Sequence, residues 1–378
     1  MTHEPTATTT TFSHVILKGS AYEVGVLQGN LIKDIPGFVE FFRSGRDVPQ
    51  KQDFGKTLLL FQKHCPGVAE EIEGFCDCVK IPPEHIIYYA ATCLPAAHCS
   101  HLVALPSITQ SHHVLVGRNY DFGDSMDDRR LCSTSIEGKY RHLGFSTMFF
   151  GRNDGMNEHG LSVTTSSGGI PVGAIQGLRP PIQEGLQFWA LARAILEQCK
   201  TVEEAVEVFN DLPGCGNPIL ILADPSGAAV LAEAFGAHKT IQRIDGASSQ
   251  QRLIATNHFV SPPMRQCEPT VFAHSRTRYQ AIQTCLDQSA PNITVESVKH
   301  VLSTPYPMGA CCHYYQEFFG TLHSLVFDLN ARRAEIAFGS PAVNSWRTFG
   351  FSNDAQPGLF ESRLPNDSTL PDFWQPVG

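Results

Sequence analysis

No stretch of the sequence gathers five or more lysines and arginines, and the formal net charge is −9. The electrostatic footprint of a nucleic-acid binder is therefore missing, and an anionic membrane surface is an equally poor partner. Nor does any apolar run approach the roughly 20 residues that a membrane helix needs. Met1 to Thr11 is polar and threonine-rich, without the basic start and apolar stretch of a secretory signal, so a cytoplasmic location is expected. Charged residues make up only 17% of the chain against 42% hydrophobic ones. That is ordinary globular composition, and internal repeats are lacking. With 378 residues the chain can bury a sizeable core as one large domain or two smaller ones.

Twelve cysteines are present, but without the spacing of a zinc site. Cys76 and Cys78 are one residue apart, Cys311 and Cys312 are adjacent, and Cys93 and Cys99 stand alone. No metal and no cofactor is expected. In a reducing compartment most of these thiols stay free and pack as small hydrophobes. His98, His101, His112 and His113 read as surface residues of a hairpin.

The first 95 residues or so read as mainly helical. Ser20 and Glu23 form a capping box for a helix running to about Arg43, although Gly25, Gly29 and Pro36 interrupt it and suggest close packing or a kink. Two further helices are expected over Lys56 to His64 and Val68 to Val79, then a short segment over Glu84 to Thr92. After Cys99 the pattern changes to strands. Residues 99–105 and 113–118 form a hairpin, followed by strands at Phe145 to Phe150, Leu161 to Thr165, Ile219 to Ala223, Ala228 to Phe235, Leu253 to Thr256, Leu322 to Asp328 and Ala334 to Phe338. Helices are expected over Gln183 to Cys199, Thr201 to Phe209 (with a Thr201–Glu204 capping box) and Val295 to Leu302. The tail beyond Pro357 is rich in Pro, Asp and Ser and should wrap the surface loosely. Strand pairs with helical blocks between them describe an α+β layered domain.

The hairpin carries most of the chemistry. Cys99 opens its first strand, and Arg118 and Asp121 lie on the partner. A thiolate is the reactive form of cysteine, and a guanidinium beside it lowers its pKa. Asp121 would orient that arginine or an amine near the sulfur. An incidental surface Arg–Asp pair stands as the alternative on these residues alone.

The segment resembles the start of the mature chain in N-terminal-nucleophile (Ntn) hydrolases of the choloylglycine hydrolase and penicillin acyltransferase type. Cys99-Ser100 is followed about twenty residues later by Gly117-Arg118-Asn119-Tyr120-Asp121. The resemblance continues through Asp154 to Leu161 (DGMNEHGL), Thr256-Asn257-His258-Phe259, Ser275 to Arg278 (SRTR) and Gly320 to Phe327 (GTLHSLVF). Ahead of Cys99, Gly19 to Gly29 looks like the opening of the acyltransferase branch's propeptide, so the likeness spans most of residues 19–340.

The resemblance implies a four-layer αββα sandwich and a chain that cuts itself before its nucleophile. Residues 1–98 would then be a propeptide-like small chain and 99–378 the catalytic region. The Cys99 thiol would attack the His98 carbonyl, and hydrolysis of the thioester would free the Cys99 α-amine. That amine titrates near 7.7–8.0, so it can act as general base at neutral pH. Asn257 and Asn157 match family asparagines near the substrate carbonyl, with Asn257 the better oxyanion donor. Arg276 or Arg278 would support the nucleophile, and Ser275 would supply a supporting hydroxyl. The family commonly has glycine before the cut, whereas His98 stands here and restricts the backbone. Cys93 is the nearby alternative nucleophile, but Pro95 follows two residues on where a strand should begin.

The function expected is hydrolysis of the linear amide of a small N-acyl substrate through a Cys99 thioester. Three alternatives stand beside it: transfer of the acyl group to an amine, with an acyl-CoA donor or amine acceptor as partner; an uncleaved, inactive ligand-binding protein; and a thiol or metal sensor. A homo-oligomer is compatible with all of them.

Overall fold

The computed structural model describes residues 6–35, 39–40, 54–86, 98–172, 179–351 and 356–377. Its first helix is built as its sequence announces. Ser20 Oγ accepts the N–H of Glu23, and the Glu23 carboxylate takes the Ser20 N–H, capping α1 (Ala21–Ile32). The helix stops well before Arg43, because Ile35 precedes Pro36 and a residue in that position is pushed out of helical geometry. α2 (Phe54–His64) and α3 (Val68–Val79) follow. Gly25 is where α1 meets α3: a Cβ there would lie 1.9 Å from the Glu71 carbonyl oxygen. Cys93 and most of the segment expected over Glu84 to Thr92 lie outside the described residues.

Two sheets face each other. The first runs in the order β11 (His238–Ile244), β10 (Ala229–Phe235), β9 (Pro218–Ala223), β8 (Ser162–Ser167), β7 (Asp154–Asn157), β5 (His142–Thr147), β4 (Arg130–Ile136), β1 (Thr6–Gly19) and β17 (Gly358–Asn366), with β6 (Gly151–Arg152) beside β5. The second runs β12 (Arg252–Ala255), β2 (Ser100–Ala104), β3 (Leu115–Phe122), β14 (Phe319–Asp328), β15 (Arg333–Phe338) and β16 (Trp346–Gly350), with β13 (His313–Tyr314) on β14. Period-2 alternation splits each strand between two cores. Val116, Ile221 and Phe327 meet between the sheets. The neighbouring Leu220 and Val163 face outward onto Phe61 of α2, Phe75 of α3, Trp189 of α4 (Phe188–Gln198) and Phe209 of α5 (Val202–Asp211). After the short α6 (Pro262–Cys267), α7 (Ala273–Ser289) and α8 (Val295–Ser303) cover the second sheet, with Ile282 and Val298 against Leu115 and Val326. The architecture is a four-layer αββα sandwich.

Several expectations need correction. The threonine-rich N-terminus is strand β1, paired parallel to β4 and antiparallel to β17. The tail beyond Pro357 is therefore not loose: residues 358–366 complete that sheet, and 371–377 dock elsewhere. Helix α7 had no counterpart in the sequence reading. Its buried face is His274, Ser275, Arg278, Ile282 and Leu286, so most of the stripe is polar and no apolar period marks it. The box at Thr201 is half-formed: its hydroxyl accepts the Glu204 N–H, but the Glu204 carboxylate takes the Lys200 N–H instead.

The segment before Cys99 is woven into the rest. Glu71, fully buried on α3, accepts from Gln28 of α1 and from Arg193 of α4, and Arg193 Nε also donates 2.8 Å to Glu197. Removing one partner of such a buried ion pair costs about 3–5 kcal/mol. If the chain is cut after His98, its two pieces should therefore co-elute in native gel filtration and separate only in denaturant. Free dissociation in buffer would show that β1 and this ion network do not hold them.

Candidate active site

Cys99 stands at the head of β2, fully buried. Ser100 pairs with Asn119 on β3, which puts Cys99 beside Tyr120. Side chains alternate along β3, so Arg118 and Tyr120 share the inter-sheet face with Cys99 while Asn119 and Asp121 point to the helical layer. Arg118 Nη2 donates to Cys99 Sγ at 3.1 Å and to the Thr165 carbonyl at 2.8 Å, and Nη1 donates to Asp154. Of the two roles expected for Asp121, orienting Arg118 is thus excluded, because the two residues form separate ion pairs. Arg118 reaches Asp154 across the gap between the sheets. Asp121 takes Arg278 Nη1 of α7 at 3.1 Å and the Thr321 hydroxyl at 2.6 Å.

A bulge in β14 serves both pairs. Thr321 pairs with Asp121 and His323 with Tyr120, so the extra residue Leu322 turns the two side chains to opposite faces. Thr321 goes to Asp121, while His323 Nε2 lies 3.0 Å from Asp154, its ring stacked between Tyr120 and Phe145. Burial opposes the Asp154 charge, but Arg118 and His323 outweigh it and hold the carboxyl below its usual value. Burial lifts Asp121 to about 6 against the pull of Arg278 and Thr321. For Cys99 burial also dominates: the thiol is pushed up despite Arg118, not lowered as the guanidinium alone suggests. Burial thus favours the neutral thiol, with the Arg118 guanidinium directly beside the sulfur.

Asn257, just after β12, is buried beside this cluster. Arg278 Nη2 donates to its Oδ1 at 2.6 Å, its Nδ2 donates to the Ser167 carbonyl at 3.1 Å, and Ser275 Oγ accepts its backbone N–H at 2.8 Å. Ser275 thus positions Asn257. Of the two arginines on α7, Arg278 is buried in the site, whereas Arg276 is exposed. Asn157 is not part of the constellation. Its Nδ2 donates to the carbonyls of Leu196 and Cys199, and its Oδ1 accepts from His159 and Leu161, so its amide is used to hold a turn. The partner that the same motif does send to the site is Asp154, three residues earlier.

His98 lies next to the cluster: its N–H donates to the Asp121 carbonyl at 2.8 Å, and Arg278 Nη1 lies 3.5 Å from its carbonyl oxygen. His101 is not a surface residue; it is fully buried, 2.8 Å from Thr164 Oγ1 and 3.1 Å from Ser166 Oγ. Cys311 and Cys312 are buried near Asp121, and burial pushes the Cys311 thiol up to about 12. Among the described residues no group of three or more His, Cys, Asp or Glu could hold a metal ion, and no helix is long and apolar enough to cross a membrane.

A cysteine heading an inner strand of an αββα sandwich, with arginine, aspartate and asparagine converging on it, is the layout of the Ntn hydrolases. Residues 108–343 match the acyl-coenzyme A:6-aminopenicillanic acid acyl-transferase family, and the chain belongs to it. That match begins after Cys99 and ends before the C-terminal segment. No curated protein sequence matches the chain. Similar solved structures include penicillin V acylase from Agrobacterium tumefaciens, at 15% identity and a TM-score of 0.45, covering 70% of this chain and 90% of that one. A mutant conjugated bile acid hydrolase from Clostridium perfringens matches at 11% identity and a TM-score of 0.45, covering 72% of this chain and 99% of that one.

Proposed function

We propose that the protein is a self-processing cysteine amidase that cleaves the linear amide of a small N-acyl substrate through a thioester at Cys99. The observation that carries this reading is one juxtaposition. Arg118 Nη2 lies 3.1 Å from Cys99 Sγ, while Arg278 Nη1 lies 3.5 Å from the carbonyl of His98, the bond such an enzyme would cut first. In processing, Sγ attacks the His98 carbonyl carbon, the C–N bond breaks, and the Cys99 nitrogen takes the thiol proton. Water then resolves the thioester, leaving a His98 carboxylate and a free α-amine on Cys99. In turnover that amine takes the thiol proton, the thiolate faces Arg118, and the acyl carbonyl oxygen is met by Asn257 Nδ2. The leaving amine carries the proton away, and water or a second amine resolves the acyl-thioester.

Denaturing mass spectrometry of fresh protein should show one fragment ending at His98 and one starting at Cys99. A single full-length species persisting for days at pH 7.5 would count against self-cleavage and favour the uncleaved ligand binder. Acyl transfer is the second reading, favoured by the complete burial of Cys99, since a site that excludes water lets an amine compete with it. Turnover with and without an added amine distinguishes the two by product.

The two reactions should differ in pH dependence. Processing precedes the α-amine and needs Asp121 ionised to hold Arg278 at the His98 carbonyl. Its rate should rise through pH of about 6, where burial has lifted that carboxyl. Turnover also needs the amine deprotonated, so it should keep rising to about pH 8. Asp121→Asn should flatten the lower limb. Coincident profiles for processing and turnover would remove the α-amine from the mechanism.

A further inference from the structure

If the chain cuts itself, its own His98 is the first acyl group that Cys99 carries, and the surroundings of His98 describe the place where a substrate's acyl group sits. The ring of His98 stacks on Phe319 at 4.5 Å between centroids, with Trp374 edge-on at 5.5 Å and His274 at 6.0 Å. Two of these walls lie on β14 and α7. The third is the C-terminal segment, which has no part in the family match. That segment is fixed to the start of α7: His274 N donates to the Phe373 carbonyl at 3.2 Å and Ala273 N to the Gln375 carbonyl at 2.9 Å. Glu317 ties it down further by accepting from Thr369 and from the Trp374 indole. The wall is built, not incidental.

We propose that this aromatic box is the acyl pocket, and that it selects acyl groups of the 3-arylpropanoyl type with a hydrogen-bond donor on the α-carbon, as in amides of aromatic amino acids. The spacing comes from His98 itself: two carbons separate its carbonyl from its ring, and its α-nitrogen donates to the Asp121 carbonyl at 2.8 Å. A planar ring gains from stacking and edge contacts that an alkyl chain of equal length lacks. Burial, then the nearby Arg278 charge, push the His98 ring down to about 3, so the box holds it neutral and should reject cationic side chains. Trp374 is the specificity-determining residue contributed by the tail.

This rests on the amidase reading, and two measurements separate their failures. The first uses processed enzyme with p-nitroanilides of phenylalanine, 3-phenylpropanoic, hexanoic and acetic acids. The phenylalanyl compound should exceed the hexanoyl one in kcat/KM by about tenfold or more, and Trp374→Ala should collapse that ratio toward one. Trp374→Leu, which keeps apolar volume, serves if the alanine variant does not fold. Equal or better turnover of hexanoyl would overturn the pocket and leave the amidase standing. The second needs no activity: the double variant His98→Gly/Cys99→Ala is an uncut chain with the box emptied. 4-Methylimidazole or p-cresol should raise its melting temperature in a saturable way, and n-butylamine should not. No difference between the aromatic and alkyl probes would overturn the proposal, whatever the anilides show.

Discussion

Cys99→Ala should yield a chain that never splits and turns over no amide, with activity down by about 10⁶, the scale of removing a nucleophile outright. Because burial favours the neutral thiol at Cys99, the substitution removes no ion partner: Arg118 keeps Asp154 and the Thr165 carbonyl. Its melting temperature should therefore stay close to that of a full-length reference. That separates a chemical loss from an unfolded one. Cys93→Ala should process and turn over like the parent, since Pro95 denies Cys93 the strand that a nucleophile of this kind heads. Processing that survives Cys99→Ala, or vanishes in Cys93→Ala, would move the nucleophile and with it the whole reading of the hairpin.

The hairpin around Cys99 and the strands β8, β9, β10, β12, β14 and β15 were legible because strands buried on both faces read as short runs of apolar residues. Their order in the sheets, and the more polar β4, β7, β11 and β16, were not. Nor were β1, β17 and α7, each for a physical reason. β1 begins with Thr6 to Thr11 and β17 carries Ser362 and Pro365, so their strand character lies in β-branched stiffness and mutual pairing rather than in apolar alternation. α7 buries an arginine and a histidine where a core helix would show leucines.

Motif order pointed to Cys99, Arg118, Asp121, Asn257 and Ser275, which the fold brings together, and left Arg276 and Arg278 open; Asn157 it placed wrongly, and Arg118 was given no partner on the other sheet. A signal was available: residues 118 and 121 are three apart on a strand and so face opposite ways, which requires a separate carboxylate for Arg118. Nothing in one sequence says that Asp154 supplies it, because that contact spans two sheets. The same holds for the tail. Phe373 and Trp374 look like a terminal remnant until β17 turns the chain back and α7 gives their backbone a partner.

Asn257→Ala should lower kcat by about 10²–10³ and leave KM near the parent value, the pattern for losing one oxyanion donor that acts in the transition state. Arg278 fixes the orientation: with Nη2 donating to Oδ1, the opposite edge of the amide is the donor Nδ2. The substitution also strips Arg278 of an acceptor, and a buried donor left unpaired costs about 1–3 kcal/mol. A modest fall in melting temperature is therefore expected alongside the kinetic loss, with Asp121 still holding the guanidinium. Self-cleavage should suffer much less than turnover, because the His98 carbonyl in the precursor faces Arg278 Nη1. If kcat stays within a few-fold of the parent, Asn257 is a structural brace for Arg278 and that arginine alone meets the oxyanion. If cleavage and turnover fall together, both reactions use one hole, and Asn257 Nδ2 serves the His98 carbonyl as well.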